Sequence, residues 1–336
     1  MSLRRHSCSA PSPGAEHEPP RNHLPAARAT AAGLALGAAA DLFLADPRRG
    51  HPVAGFGQAA AALERQMWRD TRAAGVAYTA ACVGTATALG TAGSRMTVGR
   101  PLARTVLTAA ATWAVLGGTS LGRAAATMDR HLVAADVPTA RAHLSTLAGR
   151  DPSGLGEPEL VRATVESVAE NTSDAAVAPL FWGAVAGLPG LLGYRAANTL
   201  DAMVGYRSPR YARFGWAAAR LDDVLNWAPA RLTAALTVLT APLAGGSPAG
   251  AWRAWQRDGA AHPSPNAGRC EASLAGALGL RLGGRNVYGE RVEERPTLGD
   301  GQPPGRADIA RAVRLSRAVW TAAAALAALS RLARRR

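Results

Sequence analysis

Four stretches of this chain carry no acidic, basic or histidine side chain: Ala73–Gly93 over 21 residues, Thr105–Gly122 over 18, Ala175–Tyr194 over 20 and Leu232–Trp252 over 21. A helix rises about 1.5 Å per residue, so these lengths match a hydrocarbon layer about 30 Å thick. Two shorter runs, Ala29–Ala40 stopped by Asp41 and Ala318–Ser330 stopped by Arg331, can span if flanking arginines snorkel, or else lie at the interface or inside the protein. No alternating strand pattern and no internal repeat is visible. The expected class is all-α, a polytopic integral membrane protein of roughly four to six membrane helices with long polar loops. A soluble helical protein rich in Ala is the competing reading, because Ala and Gly supply much of the apolar content and mean hydropathy is near zero. Residues 1–29, rich in Arg, Pro, Ser and His, read as a disordered extension, and 30–336 as a single membrane-embedded catalytic domain starting near Thr30. Arg4 and Arg5 are not followed by an apolar stretch, so no signal peptide is expected there.

The net charge is +14, and all 38 basic residues are arginine. Without lysine there is no P-loop lysine, Schiff base or lysine general base, so phosphate must be held by Arg, backbone N–H groups or a metal. The arginines are scattered through loops and form no stripe interleaved with aromatics. An anionic bilayer face or acidic substrates therefore suit the charge better than nucleic acid. Cys8, Cys82 and Cys270 are far apart, with no metal-ligand spacing, and suggest a reducing compartment.

Between the apolar runs stand three clusters of acids and amides: Glu166, Glu170, Asn171 and Asp174; Asn198 and Asp201; Asp222, Asp223 and Asn226. At helical spacing Asn171 shares a face with Asp174, Asn198 with Asp201, and Asp223 with Asn226, while Glu166, Glu170 and Asp174 extend the first face. Repeated oxygen ligands suit a hard cation such as Mg²⁺ and the phosphate it carries. Any single pair also reads as helix capping. If every run crosses a bilayer, loops 123–174 and 195–231 face opposite compartments although both carry clusters. Ala175–Tyr194 contains Pro179, Gly183, Gly187, Pro189 and Gly190, which suits a broken or re-entrant element, tolerated where protein or water surrounds it. The basic end RLARRR points to a cytoplasmic C-terminus.

Two further loops stand out. In DLFLADPRRGHPVAGFG, Asp46 and His51 each precede a proline and are held in a bent loop; Asp46 can ligate a metal or cap a helix, and His51 can bind phosphate or act as a base. In HPSPNAGRCEASLAGALGLRLGG, Ser264 or Asn266 can cap a helix whose exposed N–H groups would receive phosphate or carboxylate.

Together DLFLADPRRGHPV, ESVAENTSDAAVAPLFW, AANTLDAMVGYR, FGWAAARLDDVLNWAPARLTA and SPNAGRCEASLAGALGLRLGG resemble the CobD/CbiB family, the adenosylcobinamide-phosphate synthases of cobalamin biosynthesis. The resemblance covers residues 32–290; residues 1–28 have no counterpart and Glu290 stands where a glycine is expected. It implies a multi-pass protein of the cell membrane, with a cytoplasmic active site. The implied reaction joins a carboxylate of adenosylcobyric acid to the amine of 1-amino-2-propanol or its O-phosphate. ATP is the cosubstrate and Mg²⁺ the metal, and other enzymes of the pathway are potential partners. Carried onto this chain, Glu170, Asp174, Asp201 and His51 are the catalytic expectation. Asn171, Asn198, Arg207, Arg220, Asn226, Ser264 and Asn266 are expected to bind substrate. Asp174, Asp201, Asp222, Asp223 and Asp46 are expected to hold metal. Arg195 and Arg231 are further phosphate candidates, and His262 a second base. No nucleotide-binding motif is recognisable. The alternatives are a Mg²⁺-dependent membrane prenyltransferase and a non-catalytic corrinoid carrier.

Overall fold

Residues 24–45, 50–149, 151–206, 208–288 and 291–333 are described by a computed structural model. Helix α1 (Leu24–Leu44) begins before Thr30, so the extension expected over 1–29 lies outside the described residues only as far as 23. Further along, the chain forms α2 (Pro52–Met67), α3 (Arg72–Met96) and α4 (Pro101–Val115). α1 packs on α4 through glycine: a Cβ at Gly33 would lie 2.5 Å from Thr108 Cβ, and one at Gly37 2.5 Å from Thr112 Cβ. Small residues one turn apart let backbones approach closely, which is how helices pack where lipid removes the hydrophobic drive.

The expected run 105–122 breaks at Gly117, and α5 (Gly118–Val133) starts beside Trp320, 2.9 Å from where a Gly118 Cβ would stand. Asp41, which ends the apolar part of α1, is fully buried and accepts a hydrogen bond from Thr119 N at 3.0 Å. A buried carboxylate thus meets the positive end of α5. α6 (Val137–Leu144) and α7 (Glu157–Thr172) follow.

The run 175–194 is broken, as its glycines and prolines suggested. A π-helical turn at Ser173–Val177 leads into α8 (Ala178–Ala186), the chain reverses at Gly187, and α9 (Leu188–Leu200) returns to a second π-turn at Asp201–Gly205. Gly187 has φ +68°, open to glycine at little cost, and a Cβ at Gly190 would lie 2.4 Å from Trp182 O. The run 232–252 is divided too: α10 (Trp216–Thr240) ends in a 3₁₀ turn, and α11 (Pro248–Asp258) turns back against α12 (Ala267–Leu278), crossing it where Gly250 meets Gly276.

An antiparallel hairpin follows, β1 (Leu282–Tyr288) with β2 (Arg291–Leu298), which no sequence pattern announced. Gly283 and Gly284 take φ near +87° at its irregular start, and Glu166 on α7 accepts from Gly283 N at 2.9 Å. The long α13 (Arg306–Ala333) closes the core, where Leu315, Val319 and Trp320 pack with Leu160, Val168 and Leu180.

The protein is an all-α polytopic membrane protein. Among the described residues three helices are long and apolar enough to cross a membrane: Ala26–Leu44, Arg72–Met96 and Arg306–Ala333. Contacts along two of them set the level of the α8–α9 hairpin. It leaves α7 where Thr172 bonds Ser316 at 2.6 Å, in the first half of α13, and turns where Arg331 donates to Gly183 O at 3.2 Å. On the way back Gly193 meets Thr87, and Leu200 and Val204 then pack with Tyr78 near the start of α3. The two π-turns therefore lie at one end of the bundle. The parity conflict between loops 123–174 and 195–231 disappears, because the run between them doubles back.

Candidate functional site

At that end the three acid–amide clusters converge. Glu170 on the last turn of α7, Asp174 on the first π-turn, Asp201 on the second, and Asp222, Asp223 and Asn226 on α10 line one cavity of about 200 Å³. The loop before α12 closes it with Ser264 and Asn266, and Ser173, Ala230, Ala267 and Cys270 complete the wall. π-Turns are uncommon and cluster at functional sites, since the i→i+5 closure re-aims side chains that an α-helix would align. Gly205 is required by this arrangement: a Cβ there would stand 1.8 Å from Asp201 Oδ1.

Asp222 is held from both sides. Asn226 Nδ2 donates to its Oδ2 at 2.9 Å and Asn198 Nδ2 to its Oδ1 at 3.3 Å. The Tyr194 hydroxyl donates to Asn226 Oδ1 at 2.8 Å, and Arg195 donates to Asn198 Oδ1 at 3.4 Å. This network ties α9 to α10, and Tyr194, which escaped sequence reasoning, sits four residues before Asn198 on the same face. Asn198 therefore positions Asp222 and does not itself line the cavity.

The acids lie outside the three spanning helices and repel one another. Burial, then Asp222, Asp223 and Glu170, push the Asp201 carboxyl up to about 7. Burial raises Asp222 to about 6 against the two amide donors. Asp174 is raised by burial, then by Asp222, Glu170 and Asp201; Asp223 is raised by burial and held back by Arg220, 3.3 Å away.

Other expectations are redistributed. Asn171 is not on the cavity wall; its amide donates to Ser167 O at 3.0 Å and Oγ at 3.1 Å. Glu166 anchors the β-hairpin instead of extending the acidic face. His51 caps α2, its Nδ1 accepting from Val53 N at 3.1 Å, and is not on the wall. His262 is buried and is not on the cavity wall; its Nδ1 accepts from Ser264 N at 3.0 Å and its Nε2 faces Glu271 at 3.9 Å, so it shapes the loop. Ser264 caps α12, accepting from Ala267 N at 3.1 Å, while Asn266 Nδ2 donates to Asp223 O at 2.8 Å. That cap occupies an N–H expected to receive phosphate. No arginine lines the cavity among the described residues: Arg220 pairs with Asp223, and Arg231 lies 4.2 Å over Trp227. Asp46 and Arg207 lie outside the described residues.

The donor set is oxygen throughout, which fits a hard cation. Yet no three His, Cys, Asp or Glu side chains among the described residues come together closely enough to hold a metal ion by themselves. Mg²⁺ commonly takes only one or two carboxylates and completes its shell with substrate and water, so the cavity fits such a partial site.

These features define an all-α membrane protein with an acidic cavity whose acids come from three separate clusters. The CobD/Cbib protein family matches residues 34–316. A Mycobacterium tuberculosis relative, "Cobalamin biosynthesis protein CobD", is 56% identical over 301 residues, 89% of this chain and 95% of its own. Relatives of the same name from Geobacter metallireducens and Rhodobacter capsulatus are 47% identical over 269 residues and 43% over 276, covering 79% and 80% of this chain and 85% and 86% of theirs. No solved structure matches. The chain belongs to the CobD/CbiB family and has its role in cobalamin biosynthesis, with a corrinoid-related substrate.

Proposed function

We propose that this protein is an adenosylcobinamide-phosphate synthase of the cell membrane. It joins a carboxylate of adenosylcobyric acid to the amine of 1-amino-2-propanol or its O-phosphate, using ATP, at a cavity facing the cytoplasm. One observation carries this reading: in a chain of this family, acids from α7, both π-turns and α10 meet in a single cavity.

The chemistry explains why such a cavity is useful. A carboxylate does not acylate an amine until its oxygen is activated, and activation by ATP gives an acyl phosphate. The amine arrives as an ammonium, which must lose one proton before its lone pair attacks the acyl carbon and a second afterwards; the phosphate departs with its electron pair. Asp201, with its carboxyl near 7, is matched to accept a proton at neutral pH, and Asp174 and Glu170 stand on the same wall. Asp174, Asp222 and Asp223 are the residues that would hold Mg²⁺ while Asp201 takes the proton, and the ion's contribution when bound is to offset phosphate charge.

The deciding experiment supplies purified protein in lipid with adenosylcobyric acid, ATP, Mg²⁺ and either amine. An amide product and ADP are expected, and Asp174→Ala should lower the rate at least a hundredfold. No amide from either amine would sink the proposal.

A further inference from the structure

Among the described residues no arginine lines the acidic cavity, and its carboxylates repel phosphate. A polyphosphate that reacts there must be gripped beside it. Residues 64–72 and 208–216 meet next to the second π-turn and carry five arginines against two acids. The segment 206–215 runs from that π-turn to α10, and α2 clamps it. Glu64 accepts from Arg210 at 2.9 Å and from the Tyr211 hydroxyl at 3.0 Å, while Trp68 Nε1 donates to Arg210 O at 3.2 Å. Arg213 stands 3.7 Å from Asp70, so both acids are engaged. Arg69 and Arg72 are exposed and make no ion pair among the described residues; Arg72 lies over the Trp216 ring at 5.1 Å.

Tyr206 and Trp216, at the two ends of this segment, are 55% and 39% exposed. Aromatic residues beside arginine also form belts that anchor membrane proteins, and such belts occur at both faces of a bilayer. Here the aromatics gather at one end only. At the far ends of α3 and α13 stand Arg95, Arg100, Arg104 and Arg331, yet no aromatic residue occurs between Tyr78 and Trp113, between Trp182 and Tyr194, or from Thr321 to Ala333. The surface also leads into the cavity. Arg220, one turn after Trp216 on α10, donates to Asp223 on the cavity wall at 3.3 Å. Asp222 is six residues beyond Trp216, about 9 Å along the helix.

We propose that this surface binds a nucleoside triphosphate, with Arg69, Arg72 and Arg213 on the phosphates and the rings of Trp216 and Tyr206 against the base. Arginine presents a planar fork of donors that matches phosphate, and in a chain without lysine it is the cationic side chain left for the task. An aromatic ring stacks on a base of any sequence. The terminal phosphate lies on the Arg220 side of the cavity. That the nucleotide is ATP rests on the ligase reading.

Calorimetry on the full chain in phosphatidylcholine nanodiscs, with Mg²⁺ present and no corrinoid or amine, tests this. The probes are the β,γ-methylene analogue of ATP, adenosine and inorganic tripolyphosphate. The analogue is expected to bind at least about tenfold more tightly than either fragment. The paired change Arg69→Gln with Arg72→Gln should weaken the analogue and tripolyphosphate alike, at least about tenfold. Trp216→Ala should weaken the analogue about tenfold and leave tripolyphosphate unchanged. Should Trp216→Ala fail to fold, Tyr206→Ala carries the same expectation. Absence of analogue binding, or binding unchanged in the arginine variant, overturns the proposal. If phosphatidylglycerol then stabilises the parent chain and not the arginine variant, the surface is a lipid anchor instead. Amide formation is measured in parallel, and the arginine variant should raise the KM for ATP while the KM for the amine stays unchanged. Analogue binding that needs these residues, without any amide product, overturns the ligase reading and leaves the nucleotide site standing; amide formation with an unchanged KM for ATP in the arginine variant does the reverse.

Discussion

Asp222 shows how much of this site depends on residues that never face the cavity. Its two oxygens are held by Asn226 and Asn198, and Asn226 is fixed in turn by Tyr194. Tyr194→Phe removes one buried hydrogen bond and leaves the Asn226 oxygen unsatisfied. Thermal unfolding should show a loss of about 1–3 kcal/mol, with amide formation slowed about tenfold. Asp201 makes a second prediction. Its carboxyl rises from 3.8 to about 7, so between those values the folded chain binds more protons than the unfolded one. Stability then falls as pH rises through that window and is restored as pH drops below it. Unfolding midpoints of chelated protein should decline from pH 5 to pH 7.5, and Asp201→Asn should flatten the decline; an unchanged slope in the variant would assign it elsewhere. The acids and amides themselves were legible from their spacing, but their division of labour was not. Asn171 and Asn198 carry the same amide chemistry as Asn226 and Asn266 on the wall and differ only in where the backbone aims them.

The decisive elements are the two π-turns and the hairpin between them. A regular helix through Ser173–Val177 or Asp201–Gly205 would shift each acid around its axis. Gly205 is the local device, since the Asp201 carboxylate occupies the space of its absent side chain. Gly205→Ala should reduce amide formation at least tenfold while circular dichroism keeps its helical signal. Gly84→Ala, where nothing lies within 4 Å, should leave activity unaltered and serve as the control. Breakage of the run 175–194 was readable from Gly187 and Pro189, because a positive φ and a missing N–H are local properties. The breaks in 105–122 and 232–252 were less visible. The first coincides with close packing of Gly118 on Trp320, a contact between residues far apart in the chain. The β-hairpin was hidden for a similar reason: Glu166 and Arg162 fix it through the backbone of Gly283.

Across the whole molecule, the contacts of α13 place its N-terminal half beside the first π-turn and its C-terminal end beside the reversal at Gly187. The cavity thus lies beside the N-terminal half of a helix long enough to cross a membrane, and Ala333 at its C-terminal end. The proposed use of ATP would put the cavity on the cytoplasmic side and the end of α13 on the far side, against the orientation that RLARRR alone suggested. Cysteine at Ala333 in a Cys-free background should react with an impermeant maleimide in intact cells, while cysteine at exposed Ser153 should react only after permeabilisation. The opposite pattern would reverse the orientation.

The sequence by itself determined the membrane class, the helical content, the family and the residue types of the site. Those follow from apolar run length, from the absence of lysine and from motifs that are contiguous in the chain. Only the tertiary structure decided that three clusters share one cavity, because that required the chain to double back between Asp174 and Asp201.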